Sequence, residues 1–184
     1  MIDRPLPGDI VVYGTRDKNH NGKRDPGEIG HCAIVVSVPG VSAVPGINEA
    51  VDEALLWVGK GKYKMGRGGR RPEDGTPLDE NGYCDCSGFV CHCLGIDRLE
   101  NNQWWNTDSI RKDGLKDGGR FVPVNMNGYD LAKCRVVHCQ SRGKYAVVNT
   151  TGLIFKNRGA VVARLVPAEA RDLTAGTRVI TLKS

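Results

Sequence analysis

Short apolar runs broken by Gly, Pro, Asn and Asp occupy both ends of the chain, while apolar residues recur at helical spacing in its middle. Pro7-Gly8-Asp9 precedes Ile10-Val11-Val12-Tyr13, whose β-branched and aromatic residues predict a buried strand. The run His31 to Val38, closed by Pro39-Gly40, predicts a second strand. The polar stretch Asp17 to Gly30 makes the two a long-looped antiparallel hairpin. From Ile47 to Val58 the apolar residues Ile47, Val51, Ala54, Leu55 and Val58 alternate with Glu49, Asp52 and Glu53 at three- and four-residue spacing, predicting an amphipathic helix. Gly59 to Gly82 has no apolar period and reads as a long surface loop. Cys86 to Leu94 predicts a short buried helix, and Trp104 to Lys112, closed by Gly114, another. Phe121 to Val124, Cys134 to Cys139, Tyr145 to Asn149, Ala160 to Val166 and Arg178 to Leu182 read as strands between turn residues. Helices in the middle and strands at both ends predict an α+β fold. Its helices would cover one face of a mostly antiparallel sheet, with the first hairpin joining the C-terminal strands.

A length of 184 residues suits one domain, spanning residues 1–184. With 40% hydrophobic and 26% charged residues, the composition excludes a mainly disordered chain. No apolar run approaches the ~20 residues of a membrane span, and the N-terminus lacks the basic and apolar regions of an export signal. The formal net charge of +5 favours an anionic partner. Basic residues are thinly spread apart from Lys60, Lys62, Lys64, Arg67, Arg70 and Arg71, and no aromatic platform interleaves with them, so nucleic acid is not the expected partner. Seven cysteines, an odd number, exclude full disulfide stapling and predict folding in a reducing compartment.

The sharpest local signal is Asp85-Cys86-Ser87-Gly88-Phe89-Val90, where a cysteine stands at the turn from loop into helix. A thiol there meets unpaired backbone N–H groups and the positive end of the helix dipole, which favour thiolate and lower its pKa from about 8.5. The same N–H groups suit a developing oxyanion. A free cysteine is more often a small buried hydrophobe, so the catalytic reading needs a base. Of the four histidines, His20 lies in a polar loop and His92 is too close to Cys86 on the same helix. His31 and His138 remain, both at strand ends. If those strands are neighbours, one imidazole can accept the Cys86 proton while the other orients it.

Five segments together resemble the NlpC-type cell-wall peptidases of the papain-like superfamily: Lys62-Tyr63-Lys64-Met65-Gly66, Asp85-Cys86-Ser87-Gly88-Phe89, Pro7-Gly8-Asp9-Ile10-Val11, Gly30-His31-Cys32-Ala33-Ile34-Val35 and Val136-Val137-His138-Cys139. The resemblance covers about Pro7 to Leu165. The Pro-Gly-Asp strand and the His31 strand precede the cysteine instead of following it, which resembles a circular permutation, and Cys32 stands where the family has Val or a small aliphatic residue. The resemblance implies a papain-like fold in permuted order, with Cys86 as nucleophile, His31 as general base and His138 as the orienting group. It further implies that Tyr63 lies near the thiol and that Asp85 and Ser87 receive the free amine of a peptide stem.

The implied activity is hydrolysis of an amide bond in peptidoglycan stem peptides. The expected bond joins γ-D-glutamate to a diamino acid, with N-acetylmuramoyl-L-alanine amidase as the nearest variant. The competing expectations are a non-catalytic metal- or wall-binding module and an acyltransferase of the same superfamily. The implied setting is synthesis in a bacterial or phage-infected cytoplasm and action on the wall after secretion, injection or phage delivery. An immunity protein is the expected partner if the chain is a toxin.

Asp17-Lys18-Asn19-His20-Asn21-Gly22-Lys23-Arg24-Asp25-Pro26-Gly27-Glu28 has the spacing of a calcium loop. Asp17, Asn19, Asn21, Asp25 and Glu28 hold the first, third, fifth, ninth and twelfth positions, the Lys23 carbonyl the seventh, and Gly22 the turn. The expectation is a structural Ca²⁺ with no catalytic cofactor; the alternative is a solvated turn held by Asn and Asp side chains. Cys84, Cys86, Cys91, His92 and Cys93 offer zinc-like ligands, but their spacing departs from that of zinc knuckles. Trp57, Trp104 and Trp105 read as core or cleft wall.

Overall fold

The computed structural model describes residues 2–14, 30–42, 49–114, 116, 118–155 and 160–166. The candidate calcium loop (Asp17, Asn19, Asn21, Lys23, Asp25 and Glu28) and the expected strand Arg178 to Leu182 lie outside the described residues. In chain order, β1 (Ile10–Gly14) and β2 (Gly30–Ser37) are followed by α1 (Glu49–Leu56), β3 (Lys62–Tyr63), β4 (Tyr83–Cys84) and α2 (Cys86–Cys93). Then come β5 (Leu99–Glu100), β6 (Gln103–Trp104), α3 (Thr107–Asp113), β7 (Phe121–Pro123), β8 (Arg135–Cys139), β9 (Val147–Thr151) and β10 (Ala160–Leu165).

Six strands form one antiparallel sheet in the order β7-β10-β1-β2-β8-β9, so the protein is α+β and the N-terminal hairpin sits between the C-terminal strands. The alternation of strand side chains explains why both faces are covered. Ile10, Val12, Cys32, Ile34, Val137, Cys139 and Ala163 pack with Ala54, Phe89, Val90 and Ile110 of the three helices. Val11, Tyr13, Ala33, Val35, Val136 and Val162 pack instead with Val38, Val124 and Cys134, flanked by Met126, Tyr129, Leu131 and Ile154. Each of the central strands is therefore apolar on both sides, as its uninterrupted sequence requires.

Asp9 locks the N-terminal turn to the last described strand. Its buried carboxylate accepts the Leu6 N–H at 2.8 Å and the Arg164 Nε–H at 2.6 Å. Burial pushes its pKa up, against the pull of Arg164.

Two expected elements are shorter or different. Helix α1 ends at Leu56, short of Val58, because the chain turns at Gly59 (φ 81°), whose N–H donates to the Val147 carbonyl. The helix expected from Trp104 starts only at Thr107: Trp104 pairs with Leu99 in the β5–β6 hairpin, and Asn106 caps α3 through a reciprocal pair with Ser109. Within the long loop, Lys62 and Tyr63 pair in parallel with Tyr83 and Cys84, fixing the segment that leads into α2.

Candidate active site

Cys86 is the first residue of α2, and Asp85 is its N-cap in extended conformation (φ −117°, ψ 179°). One Asp85 carboxylate oxygen accepts from the Gly88 N–H at 2.8 Å and the Ser87 hydroxyl at 3.0 Å. The other accepts from the Gly66 N–H and from Arg98 Nη2, each at 2.6 Å. The thiol is thus anchored at a helix start, where the dipole favours thiolate.

Strand pairing brings the histidines to it. Ile34 faces Val137 across β2 and β8, so His31, three residues before Ile34, and His138, one after Val137, lie at the same end of adjacent strands. His31 Nε2 lies 2.8 Å from His138 Nδ1, with the rings edge-to-face at a centroid separation of 5.0 Å. Tyr13 packs edge-on against His31 from β1. The Cys86 thiol is held well below its ordinary value. A hydrogen bond with the Cys32 side chain is the largest cause, burial opposes it, and the charge and hydrogen bond of His31 add to the lowering. Burial and the neighbouring Cys86 push Cys32 the other way. Thr107 Oγ1 stands 3.8 Å from both sulfurs. Gly30 makes room for this threonine, since a Cβ there would sit 2.3 Å from its methyl carbon.

A cleft of about 580 Å³ has Cys86 in its wall, together with Tyr63, Met65, Trp104, Thr107 and Arg111. Tyr63 is half-buried, and burial followed by the charge of Cys86 pushes its phenol up. A second cavity, with Gly66 and Trp104 in its wall as well, lies along the loop of Arg67, Arg70 and Arg71. Their positive charge is largely matched: Arg67 lies near Asp79 and Glu80, and Arg71 pairs with Asp74 at 3.0 Å.

Cys86, His31 and His138 therefore converge, and Tyr63, Asp85 and Ser87 border the same cleft. The dense cysteine cluster does not converge. Cys84 meets Cys139, Cys86 meets Cys32, and His92 turns to Glu53 at 2.9 Å. Among the described residues, no group of three or more His, Cys, Asp or Glu is arranged to hold a metal ion.

Sequence reasoning missed Arg98. Fully buried, it donates to the carbonyls of Trp105 (3.2 Å), Arg67 (2.8 Å) and Gly68 (3.3 Å), to Ser87 Oγ (2.9 Å) and to Asp85, while its guanidinium stacks on Trp104 at 4.5 Å. A single arginine after a helix carries no local pattern announcing that role. Comparisons with protein-family models, curated proteins and solved structures each find no match for this chain.

Proposed function

We propose that this chain is a cysteine hydrolase of bacterial peptidoglycan that cuts an amide bond of the stem peptide, on a papain-like fold of NlpC type in permuted strand order. The observation that carries the reading is the 2.8 Å contact of His31 with His138 beside a thiol biased toward thiolate. Nε2 of His31 is engaged by His138, which leaves Nδ1 to take the Cys86 proton. The sulfur attacks the amide carbonyl, and backbone N–H groups at the start of α2 stabilise the oxyanion. The imidazolium returns its proton to the leaving amine. Water, deprotonated by the same imidazole, then releases the acyl group and regenerates the thiol.

The motif resemblance supplies the substrate class, with the γ-D-glutamyl to diamino acid bond as the first target and the muramoyl to L-alanine amide as the variant. Asp85 and Ser87 already hold the helix start and Arg98. In this reading they shape the cleft wall with Tyr63, instead of receiving a stem amine as the resemblance implies. Calcium at Asp17 to Glu28 would be structural, with no step passing through it.

The test is mass spectrometry of peptidoglycan fragments after incubation with the protein and with Cys86→Ala, with and without calcium. New peptide products from the wild type alone support the reading and identify the bond. No products from folded wild type under either condition overturn it.

A further inference from the structure

Seven thiols lie in this chain, and the proposed reaction uses one. Two others meet beside it. The Sγ atoms of Cys84 and Cys139 are 3.1 Å apart, and the Cys139 thiol also faces the Cys84 carbonyl at 3.4 Å. Both residues are fully buried. Cys84 ends β4, two residues before Cys86, and Cys139 ends β8, next to His138. A disulfide needs sulfurs about 2.05 Å apart, so closing this pair asks for a movement on the order of 1 Å.

We propose that Cys84 and Cys139 are a cross-linking site that closes as a disulfide when the chain folds in the presence of a low-molecular-weight disulfide. One cysteine thiolate attacks a sulfur of the small disulfide, forming a mixed disulfide and expelling one small thiolate. The second cysteine thiolate attacks the protein-bound sulfur and expels the other. The two cysteines lose two protons and two electrons, and the small disulfide is reduced to two thiols. Because neither residue is exposed in the folded chain, the exchange takes place before the core closes or through local opening. Once formed, the bond is sealed from reductant by the same burial.

The selectivity follows from position. Cys86 also has a thiol neighbour, Cys32, and a bond between those two would consume the nucleophile. The Cys84–Cys139 link leaves Cys86 free while joining the segment that delivers it to the strand that delivers His138. A chain crossing an oxidising compartment would thus keep its reactive thiol and gain a covalent tie between the two halves of the site. The inference holds for any chemistry at Cys86 and does not depend on the wall substrate.

The experiment refolds the full chain from denaturant in a buffer of oxidised and reduced glutathione, and in parallel with reductant alone. Free thiols are then counted after denaturation, and fragments are mapped by mass spectrometry. Five reactive thiols against the seven of the reduced chain, with one cross-linked fragment joining Cys84 to Cys139, is the expected result. Cys84→Ser and Cys139→Ser should each lose the link, and Cys32→Ser should keep it. Oxidised wild type should also unfold at higher denaturant concentration than reduced wild type and still be alkylated at Cys86. Seven free thiols in correctly refolded wild type, or a Cys32–Cys86 link in place of the expected one, would overturn the proposal, as would an unchanged unfolding midpoint in the cross-linked protein.

Discussion

Replacing Arg98 by Met tests what holds the Cys86 thiol in place at the start of α2. The guanidinium uses all five of its donors: one on Trp105, two on the Arg67 and Gly68 carbonyls, and two on Asp85 and Ser87. Summing charge-assisted hydrogen bonds at about 1.5–3 kcal/mol each would overstate the effect, because contacts of one side chain are not additive. The better scale is the loss of one partner from a buried ion pair. Side-chain exposures of 2% for Arg98 and 4% for Asp85 leave almost no solvent to screen the stranded carboxylate. Such a loss costs about 3–5 kcal/mol, a large part of a total stability on the order of 5–15 kcal/mol. Methionine keeps most of the aliphatic stem but removes the guanidinium that stacks on Trp104, so part of the loss is packing, which the second substitution below leaves in place. Urea unfolding followed by circular dichroism should show a marked fall in midpoint for Arg98→Met. Adding Asp85→Asn should restore part of it, since the neutral amide still accepts at the helix start and no longer strands a charge. A loss below about 1 kcal/mol for Arg98→Met, or a double variant no better than the sum of the singles, would refute the argument that the ion pair anchors the start of α2.

Two further outcomes follow from the same geometry. Cys32→Ala removes the hydrogen bond that contributes most to lowering the Cys86 pKa, so the midpoint of the pH profile for Cys86 alkylation should move up toward the ordinary value of about 8.5, and the rate near pH ~7 should fall; an unchanged or lowered midpoint contradicts it. Gly88→Ala should destabilise by about 1–3 kcal/mol despite the better helix propensity of alanine. Its Cβ would sit 2.8 Å from the Arg67 and Gly68 carbonyl oxygens and from Arg98 Nη1, and a neutral or stabilising result in thermal unfolding would contradict that steric reading.

Where apolar pattern and turn chemistry agree, sequence and structure coincide. Ile10 to Tyr13 and His31 to Ser37 form the expected hairpin, and Asp85 caps the helix that Cys86 begins. The convergence of His31 and His138 was legible as two strand-end histidines, although only strand pairing brings them to 2.8 Å. Trp104 and Trp105 carry a helical spacing that tertiary contacts override: Trp104 pairs with Leu99, and the Trp105 N–H bonds the Arg98 carbonyl. Arg98 and the Cys84–Cys139 contact left no trace in local pattern, because each joins segments that meet only in the folded core. Gly88 reads in sequence as part of a motif. In space it is where the Arg67–Gly69 loop crosses α2, and a Cβ on Gly69 (φ 69°) would lie 2.1 Å from the Gly88 carbonyl oxygen.

His31 and His138 touch across 107 residues of chain, with Cys86 between them in sequence. A nascent chain therefore exposes the Cys86 thiol well before the strand that completes the histidine pair has emerged. Contacts of such long sequence separation form only after the entropy of closing a large loop has been overcome, and they slow folding. The site consequently comes into being at a late stage of collapse. A chain cut anywhere between Cys86 and His138 keeps the thiol and lacks the histidine pair. Carrying the two histidines on strands that lie on either side of the thiol in sequence makes their meeting a property of the folded sheet, and no fragment that ends before His138 possesses it.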